Sequence, residues 1–213
     1  MATVEKTRRA VVDVGARETG GAAGNERLTA LVAGVLLVLL AAEGATILRM
    51  RELVSTHVFI GMLLVPPIAL KVASTGYRFF RYYAGSREYR LKGPPPMPIR
   101  ILLAPLVLLT TGLLFASGIA LVALGPRGGI VVGLHKASFV IWFFAMAAHV
   151  LWHARALPPL LGSEVGRRVA VGGRTARLVL AAAALAIGVA LAVATLPAAH
   201  SWAHWAATFH GDG

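Results

Sequence analysis

Five long apolar runs dominate the hydrophobic pattern of the chain, and short polar segments separate them. Each run exceeds the roughly 20 residues that a helix needs to cross the hydrocarbon core of a bilayer. The runs cover residues 28–48, 54–75, 101–124, 130–152 and 176–196. None of them alternates apolar and polar residues with the period of two that is typical of membrane barrels. The pattern therefore predicts an all-α integral membrane bundle with five transmembrane helices.

Composition and charge agree with this class and add an orientation. Hydrophobic residues make up 57% of the 213 residues, charged residues make up 14%, and the mean hydropathy is +0.73. Sixteen Lys and Arg residues flank the runs on the side of the N-terminus and four flank them on the other side. This asymmetry predicts a multi-pass protein of the plasma membrane with a cytoplasmic N-terminus and an extracytoplasmic C-terminus. Because the net charge of +12 lies beside membrane spans, nucleic acid is not an expected partner.

The two ends of the chain differ from the apolar runs. Residues 1–27 mix charged and small side chains, which is typical of a disordered tail, here a cytoplasmic one. Residues 199–213 contain Trp202, Trp205 and Phe209, and such aromatic residues favour the membrane–water interface. We expect a transmembrane bundle at 28–198 and an extracytoplasmic interfacial tail at 199–213.

Candidate chemistry depends on histidine. The chain has no cysteine, which excludes disulfides, thiolate catalysis and iron–sulfur ligation. The fourth run contains LHKASFVIWFFAMAAHVLWH, in which His135 and His149 are fourteen residues apart. On a helix this spacing amounts to about 21 Å and nearly four full turns, so both imidazoles share one face.

His57, on the second run, is the expected partner of His135. Each of the two lies four or five residues inside the outer boundary of its run, and both runs cross in the same direction. Two imidazoles at one depth in hydrocarbon are costly unless something bonds them. An iron between two neutral nitrogens satisfies both, and the sequence therefore predicts a bis-histidine haem b. Gly61, one turn below His57, would leave space for the macrocycle, and Lys136 would lie near the propionates.

The inner end of the predicted bundle lacks a second pair of facing histidines. A second haem on His149 would need a ligand fourteen residues after His57, and that position is Lys71. Lys71 is expected to be a cation that reaches toward the interface, and a second haem is left open. A further expectation concerns Glu43, a carboxylate inside the first run, which we expect to pair with an arginine of the outer loop; the alternative is that it gates protons for a quinone.

These segments resemble membrane-embedded di-haem b-type cytochromes, which anchor formate dehydrogenases and hydrogenases, and the related ferric-reductase-like membrane proteins. The resemblance covers about residues 50–155 and rests on the spacing of His135 and His149 and on His57 as outer partner. The same segments are similar to stretches of actinobacterial membrane proteins. The resemblance implies a four-helix haem-binding core and one additional helix. It also implies electron exchange with quinone or with a redox partner subunit, in an electron-transfer subunit rather than a stand-alone enzyme.

Two other functions remain open at this point. His57, His135, His200 and His204 would together offer an outer copper or zinc site, although the absence of cysteine and the few methionines disfavour copper traffic. Alternatively, the protein is a cofactor-free membrane anchor or assembly subunit whose histidines are hydrogen-bonded groups of the core.

Overall fold

The computed structural model describes residues 20–93, 97, 99–127, 129–155, 157–165 and 171–208. Most of the predicted N-terminal tail, residues 1–19, lies outside the described residues, as do the last five residues with His210.

The described residues form eight α-helices and contain no strand. In chain order they are α1 (Gly21–Ile47), α2 (Met50–Tyr83), α3 (Arg87–Leu91), α4 (Ala104–Leu124), α5 (Gly129–His153), α6 (Leu157–Val165), α7 (Arg174–Ala194) and α8 (Leu196–Thr208). A π-helical turn (Ile99–Leu103) leads into α4. Helices α1, α2, α4 with its π-helical turn, α5 and α7 are long and apolar enough to cross a membrane. The prediction of an all-α, five-span membrane bundle is confirmed.

Helix α1 begins earlier than the first apolar run. Its start is stabilised from outside the helix, because the backbone N–H of Ala22 donates to Glu88 Oε1 of α3 over 2.7 Å. An ion pair between Lys92 and Glu26 joins the same two segments. Residues 21–27, which the sequence analysis assigned to the disordered tail, therefore belong to the first helix.

Helix α2 lies at the centre of the packing. It packs along α1, α7 and α8 and also contacts α4, whereas α5 packs mainly against α4. The buried core cluster joins Leu28, Val32 and Leu36 of α1 to Leu64 of α2. The fifth span, α7, packs against the second span, α2, over much of its length. Within the described chain, α2 and α5 are not packed closely against each other. Any contact between them is therefore made by side chains that reach across the space between the two helices.

Helix α8 covers one end of this bundle. The Trp202 indole N–H donates to the Leu121 carbonyl at the end of α4 over 3.2 Å. Ser55, near the start of α2, donates to the Ala199 carbonyl over 3.1 Å. Because His57 lies at the same end of α2, we call this the His57 end of the bundle and the opposite one the Lys71 end.

Candidate functional site

The structure brings together the two histidines that the sequence places at one depth. The rings of His57 on α2 and His135 on α5 have their centroids 6.3 Å apart and are inclined by 81°. Both side chains are half-buried. The two imidazoles therefore bridge the space between two helices that do not otherwise pack closely.

Helix α4 determines the orientation of the His135 ring. Its Nδ1 lies 3.0 Å from Ser117 Oγ and 3.1 Å from the Leu114 carbonyl oxygen. The Ser117 hydroxyl donates its one proton to the same carbonyl, over 2.9 Å. Both neighbours of Nδ1 are then acceptors, so Nδ1 of the neutral ring carries the hydrogen and Nε2 carries the lone pair. His135 is thus held in the tautomer that binds a metal through Nε2.

Helix α1 does the same for His57. Nδ1 of His57 lies 2.9 Å from Thr46 Oγ1 and 3.1 Å from Glu43 Oε1. The Thr46 hydroxyl donates to the main-chain carbonyl of Glu43 over 2.6 Å, so it accepts from the histidine. Nδ1 is again the protonated nitrogen of the neutral ring and Nε2 the free one. Partners of this kind, on the nitrogen away from the metal, are typical of metal-binding histidines.

The partner of Glu43 differs from the expected one. The sequence analysis paired this carboxylate with an arginine of the outer loop, but Arg49 contacts Glu52 instead, with 3.8 Å between Nη1 and Oε2. Glu43 contacts His57, and the two side chains are only 15% and 20% exposed. Its second oxygen, Oε2, is buried and has no hydrogen-bond partner among the described residues. Glu43 consequently belongs to the histidine site.

Two glycines make room for these side chains. A Cβ on Gly118 of α4 would lie 3.2 Å from Cε1 of His135, so the absence of a side chain lets the ring sit against the helix. A Cβ on Gly61 would lie 3.3 Å from Glu43 Oε1. Gly61, which the sequence analysis assigned to the space around a macrocycle, thus lies against the carboxylate that supports His57.

The ring separation fits coordination of one metal atom from two sides. Centroids of two such imidazoles lie roughly 6 Å apart, because each metal–nitrogen bond is about 2 Å and each nitrogen lies about 1 Å from its ring centre. The observed 6.3 Å agrees with this value. Two neutral nitrogen donors between apolar helices also match the ligand set of a haem iron, so the residues present fit that group.

The other candidate residues lie elsewhere. Lys136, beside His135, is exposed at the His57 end. The ring neighbour of His149 is His153 of the same helix, at 4.5 Å, and not a histidine from another helix. Trp142, between the two α5 histidines, is buried and donates to Thr111 Oγ1 of α4 over 3.0 Å.

The histidines of α8 do not join the paired imidazoles. His200 and His204 are both exposed. Across the described part of the chain, no group of three or more His, Asp or Glu side chains is arranged to hold a metal ion. The four-histidine copper or zinc site considered above is not assembled there.

Fold and site together define a five-span helical membrane protein with two half-buried imidazoles, inclined by 81° to each other, near one end. Comparisons with known protein families, curated proteins and solved structures find no significant match. Sequence reasoning missed Thr46, Ser117 and the Leu114 carbonyl as partners of the histidines. The available signal was a hydroxyl residue within each of two apolar runs, although such residues usually bond within their own helix.

Proposed function

We propose that this protein is a membrane b-type cytochrome that carries one electron at a time through a haem b held by His57 and His135. The observation that supports the proposal best is the 6.3 Å separation of the two rings together with the acceptors on both Nδ1 atoms. The surrounding hydrocarbon does not stabilise two imidazoles that lack a bonding partner. An iron atom would stabilise them, because it would bind the lone pairs of both Nε2 atoms.

Each part of the chain then has a defined task. His57 and His135 hold the iron, and their partners on α1 and α4 fix the ring orientations before the cofactor binds. Exposed basic side chains at the His57 end, Lys136, Arg49 and Arg51, attract the propionates. Haem b supplies one-electron redox chemistry, and the protein adjusts its potential through ligands and burial.

The proposal contains one haem. His149 lies on the correct face of α5 for a second one, but the fourteenth position after His57 is Lys71, and the Lys71 ammonium donates to the Thr29 carbonyl of α1 over 2.9 Å. The haem is proposed to exchange electrons with quinone in the bilayer or with a companion oxidoreductase subunit. In the proposed orientation, the His57 end faces outward from the plasma membrane and the N-terminus is cytoplasmic.

The visible spectrum of the purified full chain tests this function. We expect a sharp Soret band and resolved α and β bands after reduction, with both lost in His57→Ala and in His135→Ala. His204→Ala is the matched control, because His204 is exposed on α8, and it should retain the full spectrum. A colourless wild-type protein, or a His57→Ala protein with unchanged bands, would overturn the proposal. Retention of zinc or copper by a colourless protein would instead support a metal-binding function.

A further inference from the structure

A second polar site lies at the Lys71 end of the bundle, where α1, α2 and α5 contribute side chains. Lys71 Nζ donates to the Thr29 carbonyl over 2.9 Å, so the ammonium is directed at α1. Ser74 Oγ donates to the Lys71 carbonyl over 3.0 Å and accepts from the Thr29 hydroxyl over 3.0 Å. The Lys71 side chain is therefore held in place and is not extended along the lipid surface.

The charge of Lys71 has no carboxylate partner among the described residues. An ammonium has three hydrogen-bond donors, and the Thr29 carbonyl takes only one of them. A cation inside a membrane-spanning helix is costly without an anion nearby. Two donors and one positive charge thus remain for a ligand.

His149 adds a second unused group. Its Nδ1 is buried and has no hydrogen-bond partner in the part of the chain that the structure describes. Lys71 and His149 each lie fourteen residues after His57 and His135, whose ring centroids are 6.3 Å apart, so the two side chains lie on the same facing sides of α2 and α5. A buried polar atom without a partner costs free energy, so this nitrogen indicates a group that the protein binds at the same place as the ammonium.

Depth and exposure indicate what that group is. Thr29, Lys71 and His149 all lie within about one helical turn of the same end of their apolar runs, at most roughly 6 Å from the boundary of the hydrocarbon. Phospholipid phosphates lie near this boundary. The neighbouring side chains Val72 and Trp152 are 41% and 58% exposed, so the site borders the lipid-facing surface.

We infer that Lys71 and His149 form a binding site for the phosphate oxyanion of an anionic phospholipid. The ammonium supplies the charge and two donors, and a neutral His149 ring with its hydrogen on Nδ1 would supply a third. Basic pockets between transmembrane helices are suited to such headgroups. The inference does not depend on the proposed haem at the His57 end.

Native mass spectrometry of the purified full chain tests the inference, with phosphatidylglycerol and diacylglycerol of the same acyl chains as probes. We expect one tightly retained phosphatidylglycerol and no retained diacylglycerol. Lys71→Gln should weaken retention roughly tenfold or more, since a charge-assisted hydrogen bond is lost, and Lys71→Arg should restore most of it. Lys136→Gln is the matched control at the other end and should bind as the wild type does.

His149→Phe provides a variant that leaves the contact between Lys71 and α1 intact, in case the Lys71 variants do not fold. It should also lose retained phosphatidylglycerol. Equal retention by Lys71→Gln and wild type, or by His149→Phe and wild type, would overturn the inference, as would equally tight binding of diacylglycerol. Inorganic phosphate that binds without lipid and displaces phosphatidylglycerol would assign the site to a free anion and overturn the lipid assignment. Because none of these measurements uses the visible spectrum, their failure and the failure of the haem proposal are distinguishable.

Discussion

Glu43 Oε1 lies 3.1 Å from Nδ1 of His57, so a carboxylate on α1 supports an imidazole on α2 inside the bundle. The contact joins two consecutive antiparallel helices, and Thr46, one turn after Glu43, completes it at 2.9 Å from the same nitrogen. His135 has no carboxyl group at its Nδ1, only a hydroxyl and a carbonyl. The two histidines therefore differ in their supporting groups although their free nitrogens are equivalent.

Replacement of Glu43 should weaken the binding of the proposed haem. In Glu43→Ala, His57 loses one of its two acceptors and is held less firmly, and changes of this kind typically lower metal affinity about tenfold to a hundredfold. Glu43→Gln keeps an acceptor oxygen and should have a smaller effect. The measurement is the ratio of haem to protein after purification and after dialysis against a haem-binding competitor.

Glu52→Ala is the control for this prediction. Glu52 is a carboxylate at the same end of the bundle, but it is exposed and contacts Arg49. The haem content of Glu52→Ala should equal that of the wild type. If Glu43→Ala retained haem as tightly as Glu52→Ala, the supporting role of Glu43 would be wrong.

A second prediction concerns the contact between α4 and α5. Thr111→Val leaves the buried indole N–H of Trp142 without its acceptor, which now lies 3.0 Å away. We expect a decrease in the free energy of unfolding of about 1 kcal/mol, since hydrogen bonds between membrane helices average roughly 0.6 kcal/mol and reach about 1.7. Titration with a denaturing detergent, followed by tryptophan fluorescence, measures the change.

The neighbouring threonine provides the control. Thr110 is also buried, but its hydroxyl donates to carbonyls of its own helix, at 2.7 Å from Leu106 and 3.3 Å from Val107. Thr110→Val therefore removes a local bond and leaves no donor of another helix unpaired. Equal destabilisation by the two substitutions would show that the bond to Trp142 contributes nothing.

The sequence alone predicted the architecture because a chain that crosses lipid can adopt very few backbone structures. Apolar runs of this length must be helices, and the number of membrane spans follows from counting them. The depth of a residue follows from the same count, which is why His57 and His135 were expected at one level. The first turns of α1 were not expected, because their stabilisation comes from Glu88, sixty-six residues away in the sequence.

The supporting groups of the site depend on helix rotation, which the sequence does not specify. The count of residues placed Glu43 near the outer end of α1 but gave no information on whether it faced arginines or the interior. Its contact with His57 follows from how α1 packs on α2, and packing between membrane helices depends on detailed side-chain fit. The position of α7 was open for the same reason. After Arg177, its alanine-rich sequence has no polar residue that would mark the face toward α2.

A third prediction concerns the fit of His135 against α4. Gly118→Val would place side-chain atoms where Cε1 of His135 lies, since even a Cβ would be 3.2 Å away. The ring should turn or move away, and the proposed haem spectrum should be lost or strongly weakened. Gly112→Val, on the same helix but with open space around the added Cβ, should leave the spectrum unchanged. An unchanged spectrum in Gly118→Val would mean that the ring does not need this space.

The last prediction concerns the contact between α7 and α2. Gly188 is buried on α7, and a Cβ added there would overlap the carbonyl oxygen of Leu63 on α2. A backbone oxygen cannot rotate away as a side chain does, so Gly188→Ala must move the two helices apart. Overpacking of this kind typically costs about 1–3 kcal/mol.

Gly112→Ala is the matched control for Gly188→Ala, because its added methyl group meets no atom within 4 Å. Alanine is also the better helix former by roughly 1 kcal/mol, so this control should be neutral or slightly stabilising. Unfolding by a denaturing detergent, followed by circular dichroism, compares the two variants with the wild type. A Gly188→Ala protein as stable as Gly112→Ala would contradict the close approach of α7 to α2. A loss of stability in Gly188→Ala but not in Gly112→Ala would show that α7 is part of the packed bundle. A helix at the rim of the bundle would move away from the added methyl group at little cost.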